Sequence, residues 1–426
     1  MARTILAVAL AASLAIASPA TSRTLWQDTV VGTSSGSTAD DVVTTGDLVV
    51  AGGKIQIGDH TEALIRAYDA TSGTLRWESQ PHVVDATEAI SALAEADGRV
   101  FATVTVHRFT TASEPWVVRA FDAATGTLLW EEDREESRAE RATGLAAVGG
   151  RLVVAGRLSA GEEGTSTVVR AYDAATGTLL WQEVDDSDAF RLGTSVVAAH
   201  DGRVFVGNSS PPNTRVRAYD TASGVRLWSA EFPSGSLVEL GTSTDRVFVS
   251  ASVAKGGGEV RAYDANTGSL AWQIALPPRQ RPDRGPVYDI ALAPSDDALY
   301  VGTTRVSPES SDLATYDAAT GDTRWSIDDS GAAWGLTLDG GRLYAGPALH
   351  GVAVHAFDAA TGALRWRSPR TDPGRTIAVA ARDGVAFAAG FVGPPLQSFH
   401  VAAFDGSRGV ALRPIVPNGR RLPITR

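Results

Sequence analysis

Residues 117–130 read Val-Val-Arg-Ala-Phe-Asp-Ala-Ala-Thr-Gly-Thr-Leu-Leu-Trp, and this stretch decides the fold. Its β-branched and aromatic start favours an extended strand. Asp122 is suited to accept N–H bonds inside a turn, and Gly126 supplies the positive φ that a longer hairpin loop needs. The chain then resumes a strand that carries Trp130 on one fixed face. The stretch is a β-hairpin ending on an indole.

Working outward, the pattern Ala-x-Asp-x-x-x-Gly-x-x-x-Trp returns on both sides. Before it stand Asp69, Gly73 and Trp77. After it come Asp173, Gly177 and Trp181, then Asp220, Gly224 and Trp228, then Asp264, Gly268 and Trp272. Asp317, Gly321 and Trp325 follow, and then Asp358, Gly362 and Trp366. A last copy has Asp405 and Gly409 but ends on Arg413. Spacing inside the motif is constant, whereas successive Asp positions lie 41 to 53 residues apart. A fixed hairpin is therefore joined by loops of differing length. Each motif follows a second hairpin, as in Ile90–Ala94, the turn Asp97-Gly98-Arg99, and Val100–Val106. Four strands in a meander, repeated, make a propeller blade. The expected fold is all-β, an eight-bladed β-propeller of four-stranded antiparallel blades over residues 21–415, followed by a basic tail at 416–426.

Blades pack face to face, and a buried Trp removes roughly 150–250 Å² from water, about 4–6 kcal/mol gross. Seven hairpins end on a Trp and the eighth does not, while Trp26 stands spare ahead of the first inner strand. Thr24–Asp28 is therefore expected to supply or overlay the outer strand of the last blade. Such a clasp joins the chain ends and covers open strand edges.

The Ala-x-Asp-x-x-Thr-Gly-x-x-x-Trp unit resembles the tryptophan-docking repeat of the quinoprotein alcohol dehydrogenase family. That family also contains non-enzymatic propellers similar to the BamB outer-membrane assembly factor. The resemblance runs from about Thr24 to Pro414. It implies either a binding scaffold or a quinoprotein dehydrogenase. The second would need a planar polyanionic cofactor (PQQ) on a Trp, an Arg to balance it, Ca²⁺ held by acidic or amide side chains, and a catalytic Asp. Those residues are not matched one by one here. The vicinal Cys pair of several such enzymes is impossible in a chain without cysteine, and long inserted segments are missing. The reading is a non-catalytic scaffold with no cofactor, no catalytic residue and no metal; the alternatives are the PQQ dehydrogenase and a small-ligand or glycan binder.

The formal net charge is −11, which argues against nucleic acid as a partner. Arg3 followed by the apolar run Ile5–Ala17 reads as a secretory signal over 1–20, cleaved near Ala17 or Ala20. The run is too short to span a bilayer. The expected product is a secreted or periplasmic monomer. Lacking cysteine, it has neither disulfides nor the residue that a lipoprotein anchor requires.

Connectivity assigns the loops to two faces. The Asp-Gly-Arg and Asp-Ala-Ala-Thr-Gly turns are short and uniform and share one face. The other face carries long irregular connections, among them Gly207–Asn213, Lys255–Gly258, Leu276–Gly285 and Gly393–Ser398. Variable loops on a rigid scaffold are where binding sites sit, so a protein partner or small ligand is expected on that face. It carries acids at Glu131–Glu136 and at Asp185, Asp186 and Asp188. It carries Arg279, Arg281, Arg284, Arg367, Arg370 and Arg375 elsewhere. Aligned on the Asp-Gly turns, Glu88, Arg141, Arg191, Asp289, Trp334 and Arg375 enter the inner strands near the mouth of the central channel. These six are the expected ligand contacts, and Trp334 is the most informative because it lies off the repeat. The periodic Arg66, Arg119, Arg170, Arg217 and Arg261 are expected to pair with acids or aromatics of neighbouring strands.

Overall fold

The computed structural model describes residues 20–406, apart from 22, 82–84, 112–113, 135–139, 160–164, 186–194, 211–212, 234–235, 254–256, 277–287, 307–308, 348–350, 372 and 394–395. Residues 1–19 of the expected 1–20 signal, the tail at 416–426, Glu135, Glu136, Asp186, Asp188, Arg191, Gly409 and the Arg279–Arg284 run lie outside the described residues.

Every Val-Arg-Ala-Tyr/Phe-Asp run is the third strand of an antiparallel meander, and every run that carries a motif Trp is the outer one. Blade 2 is typical, with Ala86–Ala96, Arg99–Arg108, Trp116–Asp122 and Leu128–Arg134 in that order across the sheet. Eight such sheets follow one another around the ring, all of them β, with no helix among the described residues. In blades 2, 3, 4, 7 and 8 the first-to-second turns are tight because two consecutive residues adopt positive φ. Asp97 at 51° and Gly98 at 71° show the twist that suits a two-residue hairpin.

The eighth blade confirms the clasp. Gly374–Arg382, Val385–Val392 and Ser398–Asp405 form three strands, and Thr24–Val30 pairs antiparallel with the third of them. Trp26 sits opposite Ala403 with a register shift just before it, the irregularity found beside Trp77 and Trp181. Thr24–Val30 therefore repeats the form of a true outer strand. One shared core joins Trp26, Phe387 and Val401 to Val42 and Tyr68 of blade 1, so the ring is closed. Blade 7 departs from the four-stranded plan. Ala20–Thr21 adds a short parallel strand beside Trp366 and Arg367.

Each indole is fixed by a hydrogen bond to the next blade. The Nε1 of Trp77 donates to the Ala123 carbonyl at 2.8 Å, and that of Trp228 to Ala265 at 3.0 Å. Trp26 donates to Ala70 and Trp366 to Gly406, so the pattern runs through the seam. Beneath seven of the eight rings, all but that of Trp366, lies the motif glycine of the following blade. A Cβ on Gly224 would stand 2.6 Å from the Trp181 ring, and one on Gly73 would stand 2.4 Å from the Trp26 ring. The glycine is thus required twice, for its positive φ and for the indole that rests on it. The motif Asp caps its own turn, as Asp122 does by accepting from the Thr125 N–H at 2.8 Å. These bonds, with the Arg76 guanidinium beside it, hold the Asp69 carboxyl at about 2.

Candidate functional site

The periodic arginines are spent on acids and aromatics within and between neighbouring blades, as expected. Arg66 reaches Asp28 and Glu78, and Arg217 bonds Asn208 at 2.6 Å and Asp185 at 2.9 Å. Arg170 lies 4.5 Å above the ring of buried Trp116, and Arg261 lies 4.2 Å above Phe232. Arg119 pairs with Glu131 at 2.5 Å and with Glu88 at 3.1 Å. That last contact corrects the expectation for Glu88. Its side chain is only 1% exposed and is consumed by an internal ion pair. The acidic run is likewise matched locally, since Glu132 pairs with Arg134 and Asp133 with Arg108. The described part of that loop presents little net charge to a partner.

Strand pairing arranges the remaining candidates in layers. Arg141, Asp289 and Arg375 each lie opposite the seventh residue of their blade's second strand, namely Arg157, Thr304 and Phe391. They form one level at the mouth, on blades 3, 6 and 8. Trp334 lies one level deeper, opposite the fifth residue of its second strand, Gly346. Asp41 and Glu239 share that deeper level, opposite Gly52 and Ser250. All six are half-buried.

Blades 5 to 8 bring four of these side chains into electrostatic or direct contact. The Trp334 Nε1 donates to the Ile377 carbonyl of blade 8 at 2.7 Å, which fixes the indole plane. The Arg375 guanidinium then lies 4.4 Å above that ring. Burial raises the Asp289 carboxyl above its ordinary range, and the nearby Arg375 charge partly offsets this. Burial also pushes Glu239 up to about 8, against the 2.7 Å hydrogen bond it accepts from the Leu292 N–H. The Asp289 charge adds to that rise. Arg375 forms no ion pair among the described residues, and its buried Nε has no hydrogen-bond partner there. Arg141 is in the same condition on blade 3, apart from the cluster.

Blade 7 is what holds this corner. Its second, third and fourth strands are short, Arg342–Gly346, His355–Asp358 and Leu364–Arg367. The connection between the first two of these returns toward blade 8, where Gly351 pairs with Arg375 and Val352 with Thr371. Residues 351–354 are fully buried there. The buried Thr376 hydroxyl accepts from the Ala353 N–H and lies 3.1 Å from its carbonyl as well. The backbone on either side of Arg375 is therefore pinned.

Asp41 and Glu239 carried no signal in the sequence. Each uses its carboxylate to accept an amide of the next blade, Leu93 for Asp41 and Leu292 for Glu239. Burial pushes Asp41 up to about 6. The two blades stand four apart, on opposite sides of the ring.

A family model described as outer membrane protein assembly factor BamB matches residues 10–162, 165–328 and 309–412. The chain belongs to this family of PQQ-like repeat propellers. Among solved structures, BamB from Moraxella catarrhalis is similar over 88% of this chain and all of its own, at 16% identity and a TM-score of 0.55. The quinohemoprotein alcohol dehydrogenase ADHIIG from Pseudomonas putida HK5 is similar over 93% of this chain and 78% of its own. It is 14% identical, with a TM-score of 0.63. The Comamonas testosteroni quinohemoprotein alcohol dehydrogenase is 15% identical over 95% of this chain and 78% of its own, with a TM-score of 0.59. At these identities the likeness speaks for the fold. No curated protein matches the sequence. No helix among the described residues is long and apolar enough to cross a membrane.

The Arg375 guanidinium lies over the Trp334 ring, and burial raises the nearby Asp289 and Glu239 carboxyls above their ordinary ranges.

Proposed function

We propose that this BamB-family propeller is a non-catalytic binding scaffold, secreted or periplasmic, that engages its partner or ligand through the long-loop face. The observation that carries the reading is Arg375, held over the Trp334 ring at the mouth of the channel without an ion partner among the described residues. An uncompensated guanidinium on a fixed aromatic surface is recognition chemistry. The opposite face supports the same division, because its turns are capped by their own Asp residues and filled by docked indoles. The test is cross-linked capture from an extracytoplasmic extract with the intact protein, with Arg375→Glu and with Arg99→Glu on the short-turn face. Capture lost only with Arg375→Glu supports the reading; equal loss with both variants overturns it. The dehydrogenase alternative is checked by titrating PQQ with Ca²⁺. Saturable binding tighter than about 10 μM would replace the scaffold reading.

A further inference from the structure

Two arginine positions recur beside the short turns, and blade 7 is the one blade that fills both. The first lies opposite the motif Asp, at the start of the second strand. Blades 2 to 5 and blade 7 have Arg there, and Arg342 stands opposite Asp358. The second precedes the docked Trp, where blades 1, 6 and 7 have Arg76, Arg324 and Arg365. Each blade offers these cations a single motif Asp. In blade 5 the first position takes it, with Arg246 at 3.7 Å from Asp264. In blades 1 and 6 the second takes it, with Arg76 at 2.5 Å from Asp69 and Arg324 at 2.9 Å from Asp317. Blade 7 has two claimants. Arg365 holds Asp358 at 2.5 Å, and Arg342 forms no ion pair among the described residues. The Arg365 and Thr361 bonds hold the Asp358 carboxyl at about 2, so it is ionised at neutral pH. Two guanidiniums against one carboxylate leave one positive charge unmatched.

A cavity of about 290 Å³ lies at that surplus charge. Gly340–Arg342, the Asp358 and Arg365 pair, Trp366 and Gly406 line it. Two of its glycines stand where other blades carry side chains. Blades 2, 4 and 8 have Asp97, Asp201 and Asp383 at the position of Gly340. The carbonyl that accepts the Trp Nε1 belongs to Ala or Thr in the other seven blades and to Gly406 here. Beside Gly406 lies the buried Tyr344 hydroxyl, 2.5 Å from where a Cβ on that glycine would stand. This hydroxyl has no hydrogen-bond partner among the described residues.

We propose that this cavity between blades 7 and 8 is a binding site for a small monocarboxylate whose oxygens take hydrogen bonds from Arg342. The site lies on the short-turn face, away from the channel mouth, so it goes beyond the binding-scaffold reading and does not depend on it. A guanidinium gives a carboxylate two parallel hydrogen bonds, which adds direction to attraction. One negative charge balances the surplus, whereas a dianion brings its second charge against Asp358. The volume stands at the lower end of ligand pockets and suits a small acid. A free acid and a peptide C-terminus present the same group.

The full-length protein is titrated by calorimetry with acetate, lactate and N-acetyl-trialanine, with their neutral amides, and with succinate and phosphate. At least one monocarboxylate is expected to bind tighter than about 1 mM, and its amide at least tenfold more weakly. Acetate or lactate binding identifies a free acid as the source; binding by the peptide alone identifies a C-terminus. Arg342→Gln should weaken binding at least tenfold, and Arg342→Lys by less. Gly340→Asp gives blade 7 the turn of blades 2, 4 and 8, where Asp takes a φ of 46° to 51°. It sets a carboxylate beside the cavity, so it should weaken binding at least tenfold with the thermal midpoint unchanged. Arg151→Gln, at the matching position of blade 3, should leave binding within twofold. The proposal is overturned if no monocarboxylate reaches 1 mM, if an amide equals its acid, or if phosphate outbinds every monocarboxylate. It is also overturned if Arg342→Gln and Gly340→Asp both stay within twofold. Loss of partner capture by the long-loop face, with carboxylate binding intact, would remove the scaffold reading alone.

Discussion

Replacing Trp26 by Ala tests ring closure at the one blade built from both ends of the chain. The indole is 4% exposed and packs 5.3 Å from Tyr68 and 6.1 Å from Phe387, centroid to centroid. Its Nε1 donates to Ala70 at 3.1 Å, and Gly73 lies directly beneath it. Removing a buried indole forfeits the transfer energy of roughly 150–250 Å² and leaves a cavity, for a loss of about 3–5 kcal/mol. Trp77 makes the same set of contacts inside the continuous chain, with 7% exposure and a 2.8 Å bond to Ala123. Trp77→Ala should therefore cost about as much. Trp26→Phe keeps the aromatic packing but loses the hydrogen bond, and should cost nearer 1–2 kcal/mol, about one bond plus a small void. The assay is equilibrium urea unfolding followed by circular dichroism, with the three variants side by side. A Trp26→Ala loss below about 1 kcal/mol, with Trp77→Ala above 3, would refute the clasp as a structural blade.

Three further outcomes are expected. Glu239 has a folded pKa of about 8, above the ordinary 4.5, so the native state holds the extra proton and stability falls as pH rises between those values. Glu239→Gln should flatten that fall, on the order of 3–5 kcal/mol, when urea midpoints at pH 5 and pH 8.5 are compared. His400 behaves with the opposite sign. Burial lowers it from 6.5 to about 4, so its contribution is present above 6.5 and is lost as pH drops through 4. His400→Gln should reduce acid destabilisation across that window by roughly 2–3 kcal/mol, read from midpoints at pH 7 and pH 4. Finally, Gly224 and Gly202 share a φ of 72°, but only Gly224 lies under an indole. Gly202→Ala should cost about 1 kcal/mol of backbone strain, and Gly224→Ala at least twice that, in thermal unfolding.

What the sequence carried was the part written in hairpins. Trp26 and the unfinished copy after Asp405 were enough to anticipate the seam, because a closed ring requires equal numbers of docked and docking elements. The periodic arginines were legible for a similar reason, since a residue that repeats with the blade serves the blade. The inner strands were harder. Trp334, Asp289 and Arg375 could be named as mouth residues, but their relative levels depend on the register shifts found in six of the eight inner pairings, including those of Trp334 and Arg375 but not that of Asp289. A bulge leaves no residue signature here, so Asp41 and Glu239 had no visible level and were missed. Glu88 misled because its partner Arg119 lies 31 residues away, across two strand pairings.

The seam and the candidate site fall in the same sector, and the closure mechanics give a reason. A ring sealed by a noncovalent strand is weakest where that strand is borrowed, at blade 8. There the chain adds bonds found in no other described blade: Ala20–Thr21 along the outer edge of blade 7, and residues 351–354 against the inner strand of blade 8. Beside these attachments the strands of blade 7 are short, and its connection returns to blade 8. The same diversion pins Arg375 and, through Ile377, the Trp334 indole. A rigid, atypical mouth is thus a by-product of locking the last two blades together. Regular blades have no such need, and on blade 2 the acid near the mouth, Glu88, is closed into an ion pair with Arg119. Arg375, by contrast, has no ion pair among the described residues and lies over Trp334 beside that irregular blade.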